Sequence, residues 1–180
     1  MKRRILIVFF LFSTCLPSFS QVFKQSIDSI ATIDFPGKPD ISDTMGYRVY
    51  NFAIGTEHYL LSIRDLFTIS SFHLKDEELL DFYNSVIRGI LDAAEGKLIT
   101  KSNFVVSDLK AAEVEFISTS NPLLPDLRFS RLIFVNKKMI IYSFWTTSAN
   151  KATTAIQRSN FLNSIRFSSN KSNLKQSTED

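Results

Sequence analysis

Between residues 76 and 95, apolar side chains fall at Leu79, Tyr83, Val86, Ile90 and Ala94, and polar ones at Asp81, Ser85, Arg88, Asp92 and Glu95. The spacing is close to 3.6 residues and predicts a helix with one apolar face. Asp76 stands where an N-cap is wanted, and Glu77 and Glu78 suit the positive end of the helix dipole. Gly96 stands where a left-handed residue would end the helix. A second, less apolar helix is predicted over 151–164, capped by Ser148 or Asn150. Ala152, Ala155, Ser159 and Leu162 would share one of its faces, flanked by Ile156 and Ile165.

The remaining apolar segments alternate with period two and predict strands over 30–35, 47–54, 59–67, 98–106, 111–118, 129–135 and 139–147. Gly55-Thr56-Glu57 is a hairpin-length turn, Asn136-Lys137 a two-residue one, and Pro122 and Pro125 punctuate a loop over 119–127. Val114 and Phe116 oppose Glu113 and Glu115, so that strand has one wet face. By contrast, Leu132 and Phe134 oppose Phe129, Ile133 and Val135, and Met139, Ile141 and Trp145 oppose Ile140, Tyr142 and Phe144. Both faces of these last strands are apolar, so the middle of the sheet is predicted to be covered on both sides. One helix per face would do this. The expected fold class is α+β: a mostly antiparallel sheet sandwiched between helices, in the order β-β-β-α-β-β-β-β-α.

Composition changes the picture at the ends of the chain. The 180 residues carry 21 Lys+Arg against 18 Asp+Glu, a formal charge of +3. Lys2, Arg3 and Arg4 account for the whole excess, and beyond residue 20 the charges balance. The run 5–12 is unbroken apolar sequence, Pro17 ends any helix, and Ser18 and Ser20 supply small residues at −3 and −1 before Gln21. This is the layout of a secretory signal peptide over residues 1–20, cleaved before Gln21. Its apolar run is far short of the roughly 20 residues that span a bilayer. The plainer account is a buried N-terminal helix, which would show polar interruptions, or an uncleaved anchor. Cys15 follows the apolar run as a lipidated cysteine would, but Phe12 and Thr14 do not match the Leu and small residue expected before such a cysteine. Ordinary cleavage leaves a cysteine-free mature chain, suited to a periplasmic or secreted setting. Residues 21–167 are long enough for one domain. Residues 168–180 hold one apolar residue, Leu174, and are predicted to be a disordered tail.

The stretch Ile33-Asp34-Phe35-Pro36-Gly37-Lys38-Pro39 is an extended segment ending in Phe-Pro. A tyrosine-bearing hairpin, one long helix ending near Gly96 and four strands follow, and a terminal helix closes on Phe161-Leu162-Asn163-Ser164-Ile165-Arg166-Phe167. Over roughly residues 27–167, this order resembles the small exported bacterial proteins with a PsbP-like α/β/α sandwich. The resemblance implies an antiparallel sheet between helices and no catalytic residue, since the fold hosts binding and assembly roles and fold does not fix function. The leader is not an acid-poor, Ser-rich transit peptide, so nothing supports the photosystem role of the plant members.

No catalytic, cofactor or metal set emerges from the residues. His58 and His73 are the only histidines, and no Gly-x-Ser-x-Gly elbow places a nucleophile. Two histidines 15 apart match no zinc spacing, and Asp40, Asp43 and the Asp76-Glu77-Glu78 run lack the pattern of a calcium loop. The turn at 36–39 lacks the glycines and following helix of a phosphate loop. Glu113 and Glu115 lie about 6–7 Å apart on one strand face, a separation that overlaps those of glycosidases. Cross-strand pairing with Arg128 and Arg131 is the simpler account. A charge-balanced mature chain argues against nucleic acid.

The remaining candidate is an aromatic face. Tyr50, Phe52, Phe129, Tyr142 and Phe144 share one side of the sheet, with Trp145 near the strand end. Were the second helix to cover that side poorly, a patch for an apolar ligand or partner would remain. Core packing is the alternative. The sequence therefore reads as an exported, non-catalytic module for a protein partner, envelope component or small apolar ligand. A carboxylate- or His-dependent hydrolase is the second reading.

Overall fold

The computed structural model describes residues 22–44, 46–66 and 74–168. The cleavage site at Ser18, Ser20 and Gln21, the histidine His73 and the tail beyond Ser168 lie outside the described residues. Seven strands form the main sheet in the order β3-β4-β5-β9-β8-β7-β6, all neighbours antiparallel. They are β3 (Asp40–Thr44), β4 (Tyr47–Ile54), β5 (Glu57–Asp65), β6 (Gly96–Val106), β7 (Leu109–Ser118), β8 (Leu127–Val135) and β9 (Lys138–Thr146). Two meanders, β3-β4-β5 and β6-β7-β8-β9, meet where β5 pairs with β9, and helix α1 (Leu79–Ala93) connects the middle of the sheet to its far edge. Strands β1 (Phe23–Ile27), β2 (Ala31–Phe35) and β10 (Arg166–Phe167) form a separate small sheet.

Tight turns fix the register. Ser107 and Asp108 between β6 and β7, and Asn136 and Lys137 between β8 and β9, all have positive φ, the conformation of two-residue hairpin turns that match strand twist. The expected alternation then places Leu132, Phe134 and Met139 under α1, and Phe129, Ile133, Val135, Ile140, Tyr142 and Phe144 in the opposite core. Against α1, Tyr83 is fully buried. Its hydroxyl accepts from the Phe134 N–H and donates to the Lys110 carbonyl, both at 2.8 Å, so the helix is pinned to β8 and β7.

The opposite face is covered by the small sheet together with α2 (Ala155–Leu162). Ala31, Ile33 and Phe35 of β2 point inward with period two. Phe161 of α2 meets Phe35 at 5.3 Å and Tyr59 at 5.2 Å edge-to-face, and Tyr59 meets Phe144 at 5.1 Å. The Ser164 hydroxyl accepts from the Asp34 N–H, tying the end of α2 to β2. Gly37 follows because a Cβ there would lie 2.5 Å from the Phe52 ring, inside van der Waals contact.

Several expectations change. Two helices alone do not cover the sheet; one face needs β1, β2 and β10. Strand β1 and the wholly exposed β3 were not expected: β3 is an edge strand of Asp, Ser and Thr with one apolar residue, Ile41. Strand β10, only two residues long, was also unforeseen. Asp76 does not cap α1. Glu78 is the N-cap residue, and its carboxylate accepts from the Lys75 N–H. The left-handed residue after α1 is Glu95, not Gly96. Gly96 opens β6, where a Cβ would lie 2.9 Å from Phe116 and 3.1 Å from Leu91. Ser148–Asn150 form a single 3-10 turn, and α2 starts only after Thr154. Its buried face carries Phe161 and Leu162, whereas Ile156 is 73% exposed.

Candidate functional site

The aromatic face expected from sequence is assembled but sealed. Tyr50, Phe129, Tyr142 and Phe144 are buried, and Phe52 packs half-buried against the same core. These residues are core because β2 and α2 lie over them. Burial pushes the Tyr142 phenol up to about 12, and its hydroxyl has no hydrogen-bond partner. Trp145 does not belong to this face; it follows Phe144 on the strand and lies on the α1 side.

The expected carboxylate pairing is half right. Glu113 sits opposite Arg131 and bonds its Nε at 2.5 Å. Arg131 also donates to the Leu162 carbonyl at 2.7 Å, so the pair anchors the C-terminal end of α2, where a cation suits the dipole. Glu115 lies opposite Phe129 and bonds Lys151 at 2.5 Å. Both glutamates are thus held by cations of the framework. Among the described residues, no three His, Cys, Asp or Glu side chains form a cluster able to hold a metal ion.

Arg128 has the parity of Ser130, Leu132 and Phe134, so it points away from the glutamates and into the α1 side. There the register builds one row across six strands: Ala53, His58, Trp145, Arg128, Phe116 and Leu98. The Arg128 guanidinium lies 4.2 Å from the Trp145 ring and 5.9 Å from the Phe116 ring. The His58 ring stacks beyond Trp145 at 6.1 Å and 17°. The result is a stack of planar groups in the order imidazole, indole, guanidinium and phenyl.

Stacking satisfies the faces of a guanidinium but not its in-plane donors. Arg128 is only 7% exposed, and its Nε–H has no acceptor. Burial lowers its basicity. The His58 imidazole is held below the usual histidine range, first by burial and then by the Arg128 charge. The one acidic strand residue of this face is Asp40, at the β3 edge, four strands away from Arg128 and too far to neutralise it. In the next row, Ser130 and Ser143 satisfy each other at 2.7 Å, and the buried Asn51 amide oxygen is unpaired. Arg158 on α2 also leaves Nη1 unpaired, but that residue is half-buried and stacks on Phe129 on the other face.

Concavities also lie elsewhere among the described residues. One, of about 490 Å³, is floored by Phe35, Tyr59 and Phe161 between β2 and α2. The Tyr59 hydroxyl is bonded to Glu57 and the Ser164 hydroxyl to the Phe161 carbonyl. Another, of about 370 Å³, lies beside Lys138, which bonds Asp65 at 2.7 Å and Asp28 at 3.2 Å. In both, these polar groups already have protein partners. Among the described residues, only the Arg128 row presents a buried charge without one.

No protein-family model and no curated protein matches the chain. Solved structures do. The solution structure of cyanobacterial PsbP (CyanoP) from Synechocystis sp. PCC 6803 superposes with a TM-score of 0.59 at 13% identity, over 82% of this chain and 92% of that one. A protein of unknown function from Pseudomonas aeruginosa, PA94, described as a putative regulator, gives 0.45 at 14% identity over 76% and 90% of the two chains. The Saccharomyces cerevisiae Ran-binding protein Mog1p gives 0.47 at 8% identity over 82% and 95%. At such identities the likeness concerns architecture alone. The chain has the PsbP-like fold: α+β, mainly antiparallel, with two helices.

Proposed function

We propose that this chain is an exported, non-catalytic binding module whose ligand or partner docks on the α1 side of the main sheet, at the ends of β5, β8 and β9. The single observation that carries this reading is Arg128: a nine-tenths buried guanidinium with no acceptor for its Nε–H. An unpaired buried charge destabilises a fold, and such groups are kept where a bound molecule supplies the partner. The leader over residues 1–20 supports export to the periplasm or beyond. The engagement of Glu113 by Arg131 and of Glu115 by Lys151 weighs against the hydrolase reading.

A fragment screen read by amide NMR shifts tests the binding face. Hits are expected to move amides of residues 57–60, 127–130 and 143–146. Hits confined to the β2–α2 groove, or none, would remove the proposal. Export is tested by sequencing the N-terminus of the chain recovered from its native host; an intact Met1 in the cytoplasm would refute it.

A further inference from the structure

We propose that the Arg128 row is a carboxylate site: it holds the carboxylate of a small, otherwise apolar molecule against the unpaired Nε–H edge of the Arg128 guanidinium. This rests on the binding face proposed above and names its ligand class. The geometry limits the choice in three ways. First, Arg128 lies between Trp145 and Phe116, and the donors of its planar guanidinium form the fork that matches a planar carboxylate. Second, the row contains one fixed positive charge. His58 is shifted toward its neutral form, so a monoanion is balanced, whereas a dianion would bring an uncompensated charge into a desolvated site. Third, the row ends in Ala53 on one side and Leu98 on the other, and Leu60 flanks it, so the ligand's body meets hydrocarbon. The indole N–H of Trp145 is a donor only, and the one acidic strand residue of the face, Asp40, lies on β3, four strands from Arg128.

Trp145 is the only tryptophan in the chain, so intrinsic fluorescence reports on this row alone. The full mature chain is titrated with octanoate, with neutral octanamide and with inorganic phosphate. Octanoate is expected to change the fluorescence saturably, and octanamide to bind at least about tenfold more weakly, as loss of a charge-assisted bond requires. Phosphate should not saturate the signal in the octanoate range. Arg128→Met should weaken octanoate at least about tenfold, and Arg128→Lys by less, because it keeps the charge but not the fork. The Nε–H proton resonance of Arg128 in the unmutated chain gives a second readout that needs no variant; it should move downfield with octanoate only. Equal binding of octanoate and octanamide, unaffected by Arg128→Met, would overturn the carboxylate and leave the binding face standing. Phosphate binding as tight as octanoate would overturn the monocarboxylate assignment. No response to octanoate from either Trp145 or the Arg128 Nε–H would overturn the carboxylate site. If the fragment screen were silent too, the binding face would fall with it.

Discussion

The two faces of the main sheet are built from the same strands and end differently. On the α2 side, Tyr59, Leu61, Phe129, Tyr142 and Phe144 are buried beneath β2 and Phe161 in a chain of edge-to-face rings. On the α1 side, the helix lies over β6 and β7, and Val114, Phe116, Leu132 and Phe134 are buried there. Across β4 and β5 on that side, Val49, Asn51, His58, Leu60 and Ser62 are only half-buried. One face is closed by hydrocarbon, and its Glu113 and Glu115 are paired with Arg131 and Lys151. Among the described residues, α1 covers one half of the other face, and the unpaired Arg128 lies beside the boundary. The exposure of a face in this fold thus follows from where covering elements stop and not from where aromatics are most abundant.

Four substitutions and one titration sharpen the contrast, taken from the largest expected effect. Phe161→Ala opens the closed face and should cost about 3–5 kcal/mol in urea unfolding. A loss under about 1 kcal/mol would mean that the small sheet alone seals that side. Tyr83→Phe keeps the ring but strands the Phe134 N–H, and should cost about 1–3 kcal/mol on the same assay. Arg128→Met is expected to leave the ligand-free chain as stable or more stable, by on the order of 1 kcal/mol, because it removes a buried charge and no pairing. Arg131→Met should instead destabilise, since it leaves Glu113 and the Leu162 carbonyl without their donor. If both arginines behaved alike, the contrast between the faces would fail.

The smallest effect is in pH. His58 should titrate below 6.5 by NMR. Its folded-state affinity for protons is depressed, so the unfolded chain binds more protons over the interval from 6.5 downward, and stability should fall as pH is lowered through that interval. Arg128→Met should move the His58 midpoint back upward, because one of its two causes is removed. No movement would place the whole shift on burial.

Much of the architecture was legible from local pattern. The 3.6 period over 76–95 marked α1, and parity in 129–135 and 139–145 separated the two cores, because burial acts residue by residue along a strand. β3 and β10 gave no such signal: one is exposed at an edge, and the other is two residues long and held by pairing to Thr32 and Ala31. Arg128 was legible in part. Counting back from Phe134 and Leu132 puts it on an apolar face, whereas its closeness in sequence to Arg131 points to the glutamates. The match of Phe116, not Glu115, to Arg128 is a register fact, and register is fixed by turn geometry and distant packing.

The sequence by itself determined the leader-like start, the alternating strands, the amphipathic helix and the supply of aromatic side chains, because each depends on neighbours along the chain. Tertiary structure decided which aromatic residues became core, which face stayed partly open and that Arg128 would be buried without a partner. Those outcomes depend on how far α1, α2 and the small sheet reach across seven strands, and reach is set by packing between elements that no local pattern encodes.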